Sequence, residues 1–180
     1  MKPCAFLRNI LIFCMPSVLL CTACNTQQAK EPFSSSLAPA YSIQADMTYG
    51  ERDSHALCKL SRQNSGIWEA EFTEPSSLSG VILTFEENAV SANYKGLAFT
   101  VPKSALPAKS MLMLMTDVFD ALGEMESLPC KEADNNQWEL EGESEGGSYT
   151  VMFDENGVPM QFSVPSQPLS ITFSEYTVQE

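Results

Sequence analysis

Between Tyr41 and Val178 the chain breaks into short runs of alternating apolar and polar residues, punctuated by turns, with one stretch of helical spacing in the middle. Tyr41, Ile43, Ala45, Met47 and Tyr49 alternate with Ser42, Gln44, Asp46 and Thr48. A period of two puts successive side chains on opposite faces of an extended chain, so this run predicts a half-buried strand. Further strands are expected at 55–62, 66–73, 81–85, 90–94 and 96–101, and again at 137–143, 148–154, 158–164 and 169–178. Pro75 to Gly80 is turn material, and Gly146-Gly147 and Asn156-Gly157 are hairpin turns. Between the two strand sets, Met111, Leu114, Met115, Val118, Leu122 and Met125 recur at helical spacing behind Pro107, which suits a first turn. The pattern predicts a helix over 107–125. Strand runs on both sides of one helix define an α+β class: a curved antiparallel sheet with one main helix, and room for a second, packed on its concave face.

The N-terminus obeys different rules. Lys2 and Arg8 precede an apolar run from Ile10 to Leu20, and no acidic residue occurs before Glu31. The run is shorter than the roughly 20 residues a membrane-spanning helix needs, and Pro16 interrupts it. It has the length of a secretory signal's apolar region. It ends in Leu20-Cys21-Thr22-Ala23-Cys24, which resembles the lipobox of bacterial lipoproteins. That resemblance implies removal of residues 1–23 and acylation of Cys24 with chains such as palmitate; cleavage elsewhere without lipid is the alternative. Acyl chains contribute about 0.8 kcal/mol per buried CH₂, enough with several chains to hold a protein on the extracytoplasmic face of a membrane. Cys21-x-x-Cys24 has redox-motif spacing but straddles the cleavage point. Residues 24–39, rich in Gln, Ser, Lys, Glu and Pro, are expected as a lipidated flexible tether, and 40–180 as the folded domain.

Charge narrows the partners. Ten basic residues face 23 acidic ones, a net charge of −13 that grows more negative if the leader is removed. Phosphate backbones would be repelled, so no nucleic-acid partner is expected. The same excess opposes lipid headgroups, which leaves acyl chains as the expected lipid contact.

Several phrases point to a family. Phe72-Thr-Glu-Pro-Ser-Ser-Leu-Ser-Gly-Val-Ile-Leu-Thr-Phe85, Val90-Ser-Ala-Asn-Tyr-Lys-Gly-Leu-Ala-Phe99, the methionine-rich helix, and Tyr149-Thr-Val-Met-Phe-Asp-Glu-Asn-Gly-Val-Pro-Met-Gln-Phe162 together resemble the LolA-like lipoprotein-carrier family and its lipoprotein relatives. The likeness spans about residues 41–178. It implies an incomplete barrel around a helix-covered apolar cavity, and work such as carrying acyl chains, sensing envelope lipids or serving as an adaptor to an envelope or cell-wall protein. Lipoproteins required for spore germination share the fold and act as enzyme partners.

Methionine is unbranched and polarizable, so a methionine-rich face suits varied apolar ligands. Met111, Leu114, Met115, Val118 and Leu122 are therefore candidates to line a cavity for an acyl chain; the competing reading is that they simply close the core. An open apolar groove would favour a carrier, and full packing between helix and sheet an adaptor. Catalytic signals are weak. The one histidine, His55, follows Asp53 and Ser54 directly, and neighbours in an extended chain point opposite ways. No phosphate loop or metal-ligand spacing occurs, so no enzyme activity, cofactor or metal is expected. Glu139, Glu141, Glu143 and Glu145 should share one face, either as a weak cation or basic-partner patch or as a solvated outer surface. Asp154-Glu155-Asn156-Gly157 echoes a calcium loop without its later ligands and reads better as a hairpin. Cys58 and Cys130 are the thiols left beyond Cys24; they could form a disulfide contributing about 3–5 kcal/mol, or Cys58 could be an ordinary buried strand residue.

Overall fold

Period-two alternation becomes one antiparallel sheet. The computed structural model describes residues 33–64, 66–107 and 110–179. Signal segment 1–23, Cys24 and the first part of the tether lie outside them. The described residues belong to one compact unit. The strands are β1 (Tyr41–Tyr49), β2 (Ser54–Asn64), β3 (Ile67–Glu74), β4 (Val81–Phe85), β5 (Ala89–Tyr94), β6 (Leu97–Pro102), β7 (Lys131–Glu132), β8 (Trp138–Ser144), β9 (Gly147–Phe153), β10 (Pro159–Val164) and β11 (Leu169–Val178). They form a single sheet in the order β6-β5-β4-β3-β2-β1-β11-β10-β9-β8-β7, which is curved and not closed into a barrel. Two meanders thus meet where the N-terminal strand β1 pairs with the C-terminal strand β11, and among the described residues β6 and β7 are the outermost strands.

Register carries one apolar face across the sheet. Ala45 pairs with Cys58 and with Phe173; Cys58 pairs with Phe72. Trp68 pairs with Phe85, Phe85 with Val90, and Val90 with Val101. On the other wing Ile171 pairs with Phe162, Phe162 with Val151, and Val151 with Leu140. All of these except half-buried Val101 are buried in one continuous core.

One α-helix, α1 (Met111–Gly123), and a short 3-10 turn at Lys103–Ala105 precede β7. The helix is shorter than the 107–125 expected: it starts after Ser110, at the N-cap position, and ends at Gly123. Phe119 meets aromatic rings on three strands. Its ring lies 6.2 Å from that of Trp68 on β3, 6.1 Å from Phe162 on β10 and 5.4 Å from Phe173 on β11. The next residue adds a polar clamp. Asp120 Oδ1 accepts from Arg62 Nε at 2.7 Å and from Trp68 Nε1 at 3.1 Å, while Arg62 Nη1 donates to the Pro39 carbonyl at 2.6 Å. Arg62 is a buried cation, and its bonds to Asp120 and to the Pro39 carbonyl offset a desolvation cost that would otherwise exclude it from the core. Tyr41 lies beside this clamp; burial first, then the neighbouring Tyr176, push its phenol upward, so it stays protonated.

One sequence expectation is corrected here, and one open alternative is resolved. Residues 33–39, assigned to a flexible tether, are packed on the domain. Phe33 is buried, stacked 4.7 Å from Trp138, and its carbonyl accepts from the Leu128 N–H at 2.8 Å. Ser36 N–H donates to the Gly157 carbonyl at 2.9 Å, and the Tyr176 hydroxyl donates to the Ser36 carbonyl at 2.6 Å. One aromatic ring in a polar stretch was the signal for this. Secondly, Cys58 and Cys130 are free thiols. Cys58 points into the core from β2, whereas Cys130 sits just before β7 at the far wing, with five strands between them in the sheet order.

Candidate functional site

α1 buries two different stripes. Leu112, Met115, Phe119 and Leu122, at spacings of three and four, are closed into the core. Met113, Leu114, Val118 and Ala121 instead border an open cavity of about 650 Å³. The remaining walls are Leu106, just after the 3-10 turn, and Tyr149 and the hairpin between β8 and β9. This volume falls within the roughly 300–1,000 Å³ of small-molecule sites.

The five helix positions singled out from sequence are divided by this arrangement. Leu114 and Val118 border the cavity. Met115 and Leu122 belong to the closed core, at 0% and 2% exposure, and half-buried Met111 packs against that core. Helical spacing identified the buried face of α1 but not the split within it. Met113, Ala121, Leu106 and Tyr149 were not anticipated. Tyr149 was legible only as a strand residue, because its approach to the helix depends on sheet curvature.

Gly142 makes room for Tyr149. The two are paired across β8 and β9, and a Cβ at Gly142 would collide with the Tyr149 ring. With hydrogen there, the ring lies over the backbone and stacks 6.0 Å from Phe162. Burial raises the Tyr149 phenol, which therefore remains neutral.

The rim is polar and negatively biased. Lys103 Nζ is held by Asp117 Oδ1 at 2.6 Å, so its charge is largely answered. Glu143, Ser144 and Glu145 border the opposite side, and Glu143 accepts from Ser148 Oγ at 2.7 Å. Ser144 Oγ donates to the Gly147 carbonyl at 3.0 Å and fixes the hairpin. An apolar floor under an acidic rim accepts an uncharged hydrocarbon more readily than an anion.

Other candidate chemistry does not converge on the cavity. His55 is exposed on β2, with Nε2 2.5 Å from Asp46 Oδ1 on β1. Glu139, Glu141 and Glu143 alternate with Trp138, Leu140 and Gly142 on β8, as their spacing predicts, while Glu145 falls in the turn. Glu141 accepts from Lys131 Nζ at 2.8 Å, which lowers the carboxyl and raises the amine. Asp154 Oδ1 accepts from the N–H groups of Asn156 and Val158, at 2.9 and 2.8 Å, so that segment is a hairpin turn. Among the described residues, no group of three or more His, Cys, Asp or Glu is arranged to hold a metal ion. No helix among them is long and apolar enough to cross a membrane.

No family model matches the sequence, and no curated protein does. Solved structures do resemble the fold. An uncharacterized conserved protein from Thermus thermophilus is 12% identical, with 80% of this chain and 81% of that one covered at a TM-score of 0.50. A LolA superfamily protein from Nitrosomonas europaea is 11% identical over 78% of this chain and 86% of that one, with a TM-score of 0.41. A putative outer membrane lipoprotein-sorting protein domain from Vibrio parahaemolyticus is 10% identical over 81% and 87%, with a TM-score of 0.42. Likeness at these identities concerns the fold, not the activity.

Proposed function

We propose that this chain is an extracytoplasmic lipoprotein, anchored to the membrane through acylated Cys24, that binds an uncharged apolar ligand such as an acyl chain without catalysing a reaction. In this reading α1 lies on the concave face of an incomplete barrel and leaves part of the interior open beside it. The observation that carries the ligand assignment is the cavity bounded by Met113, Leu114, Val118, Leu106 and Tyr149. Its floor offers hydrocarbon contact, and its acidic rim disfavours anionic ligands. Full packing around Phe119 would also suit an adaptor, but an adaptor has no need of an open apolar pocket.

Native mass spectrometry of the full chain extracted from membranes tests both parts. The expected result is a polypeptide beginning at Cys24, heavier by its acyl groups, with a non-covalent lipid adduct. Gly142→Ala should reduce the adduct severalfold, because the displaced Tyr149 ring enters the cavity. An unmodified N-terminus removes the anchor; an adduct-free protein, or one indifferent to Gly142→Ala, removes the ligand site.

A further inference from the structure

The apolar face of the sheet does not stop where its cover stops. On the β5–β6 hairpin, Tyr94 pairs with Leu97, Ala92 with Phe99, and Val90 with Val101, so Tyr94, Leu97 and Phe99 lie on the face that carries the core. Val90 is buried, yet Tyr94, Leu97 and Phe99 are 40%, 77% and 66% exposed. Single exposed apolar residues are ordinary, but three large ones together at the tip and edge of a hairpin form a patch. The tip itself is well defined: Lys95 and Gly96 have φ of 51° and 85°, as a type I′ turn requires.

The charge around this patch is unlike that of the rest of the chain. Along the sequence no Asp or Glu occurs between Glu87 and Asp117, and Lys95 stands at the tip of the hairpin; Lys103, further along, is paired with Asp117. Lys95 Nζ lies 4.9 Å from the centre of the Tyr94 ring, so the cation sits directly beside the apolar patch. Aromatic and leucine side chains flanked by lysine match the boundary of an anionic bilayer: apolar groups enter the acyl region and the ammonium stays with the phosphates. The outer backbone edge of β6 limits the depth, since hydrocarbon offers those N–H and C=O groups no partners.

We propose that the β5–β6 hairpin docks on an anionic membrane surface through Tyr94, Leu97 and Phe99, with Lys95 at the headgroups. The proposal rests on the anchoring proposed above, because a strongly acidic domain must be tethered before one hairpin can hold it against an anionic surface. It also reverses, at this one place, the expectation that headgroups are avoided everywhere.

The test bypasses the natural anchor, so that absence of acylation and absence of docking are separate results. The compact unit 31–180, which contains the whole described core, is held on vesicles by an N-terminal hexahistidine and a nickel-chelating lipid. L97W adds an indole at an exposed position, and contact quenching by lipids brominated on their acyl chains is read against the unsubstituted protein. Vesicles rich in phosphatidylglycerol should quench the added emission about twofold more than phosphatidylcholine vesicles, and Lys95→Glu or Phe99→Ser should remove that difference. Absent quenching, equal quenching on both lipids, or indifference to Lys95→Glu would overturn the proposal. So would a blue-shifted indole without vesicles accompanied by a doubled mass, which would mean that a second copy covers the patch.

Discussion

The inner faces of β3 and of the β5–β6 hairpin are written in the same alternating code and end in opposite environments. Trp68 on β3 is 1% exposed; Leu97 on β6 is 77% exposed. What separates them is cover. A helix of 13 residues is about 20 Å long, whereas 11 strands at roughly 4.8 Å spacing make a sheet near 48 Å wide along its curve. α1 therefore serves the middle of the sheet, where Phe119 meets rings on β3, β10 and β11, and leaves the β6 wing bare. Hydrophobic alternation specifies a strand with an apolar face; it does not specify that the face is used internally.

The covered region should be fragile. Phe119→Ala removes the ring contacts that join helix to sheet and should lower unfolding stability by about 3–5 kcal/mol in urea titrations. Asp120→Ala leaves Arg62 buried beside an unpaired Trp68 N–H, and should cost about 3 kcal/mol or more by the same measurement. A markedly smaller loss in either case would mean that the helix is not fixed as the clamp implies. A pH effect comes next. Burial pushes the Cys58 thiol from its ordinary 9.0 up to about 12. The folded state thus holds its proton where the unfolded state loses it, and the resulting stability is complete below pH 9 and declines as pH rises through 12. Cys58→Ala should flatten that decline in alkaline melts. Cys130, with its thiol raised to about 11, should be alkylated slowly in the folded protein but ahead of Cys58, and both should react rapidly in denaturant. Phe99→Ser closes the series: a phenylalanine replaced on the bare wing should change stability by less than about 0.5 kcal/mol. A loss comparable to that of Phe119→Ala would end the distinction between the two regions.

The strand positions were largely legible because nearly every strand has a half-buried alternation and a Gly, Pro or Asn turn beside it. β7 was not, since Lys131-Glu132 is too short to show any period. Nor was the docking of Phe33, which depends on Trp138 and Phe153 arriving from distant strands. The site was half legible. Leu114 and Val118 follow from helical spacing, but Met115 and Leu122 share that spacing and lie in the core. Which stripe faces a cavity depends on where Tyr149 and the β8–β9 hairpin lie relative to the helix, and no local pattern encodes that. Gly142 lies in the middle of a glutamate-rich run, where it resembles a simple weakening of the strand; its steric role exists only once Tyr149 is opposite.

The position of β1 has a mechanical consequence. Tension applied from the N-terminal side enters the unit at Phe33 and must first draw that ring from between Trp138 and Phe153. It would then have to break the Ser36–Gly157 and Tyr176–Ser36 hydrogen bonds before loading β1. β1 is no edge strand to be unzipped one bond at a time: it is flanked by β2 and β11 along its length. A pull on that end therefore loads the centre of the sheet in shear, where many ladder bonds resist together, and leaves both outermost strands unstressed.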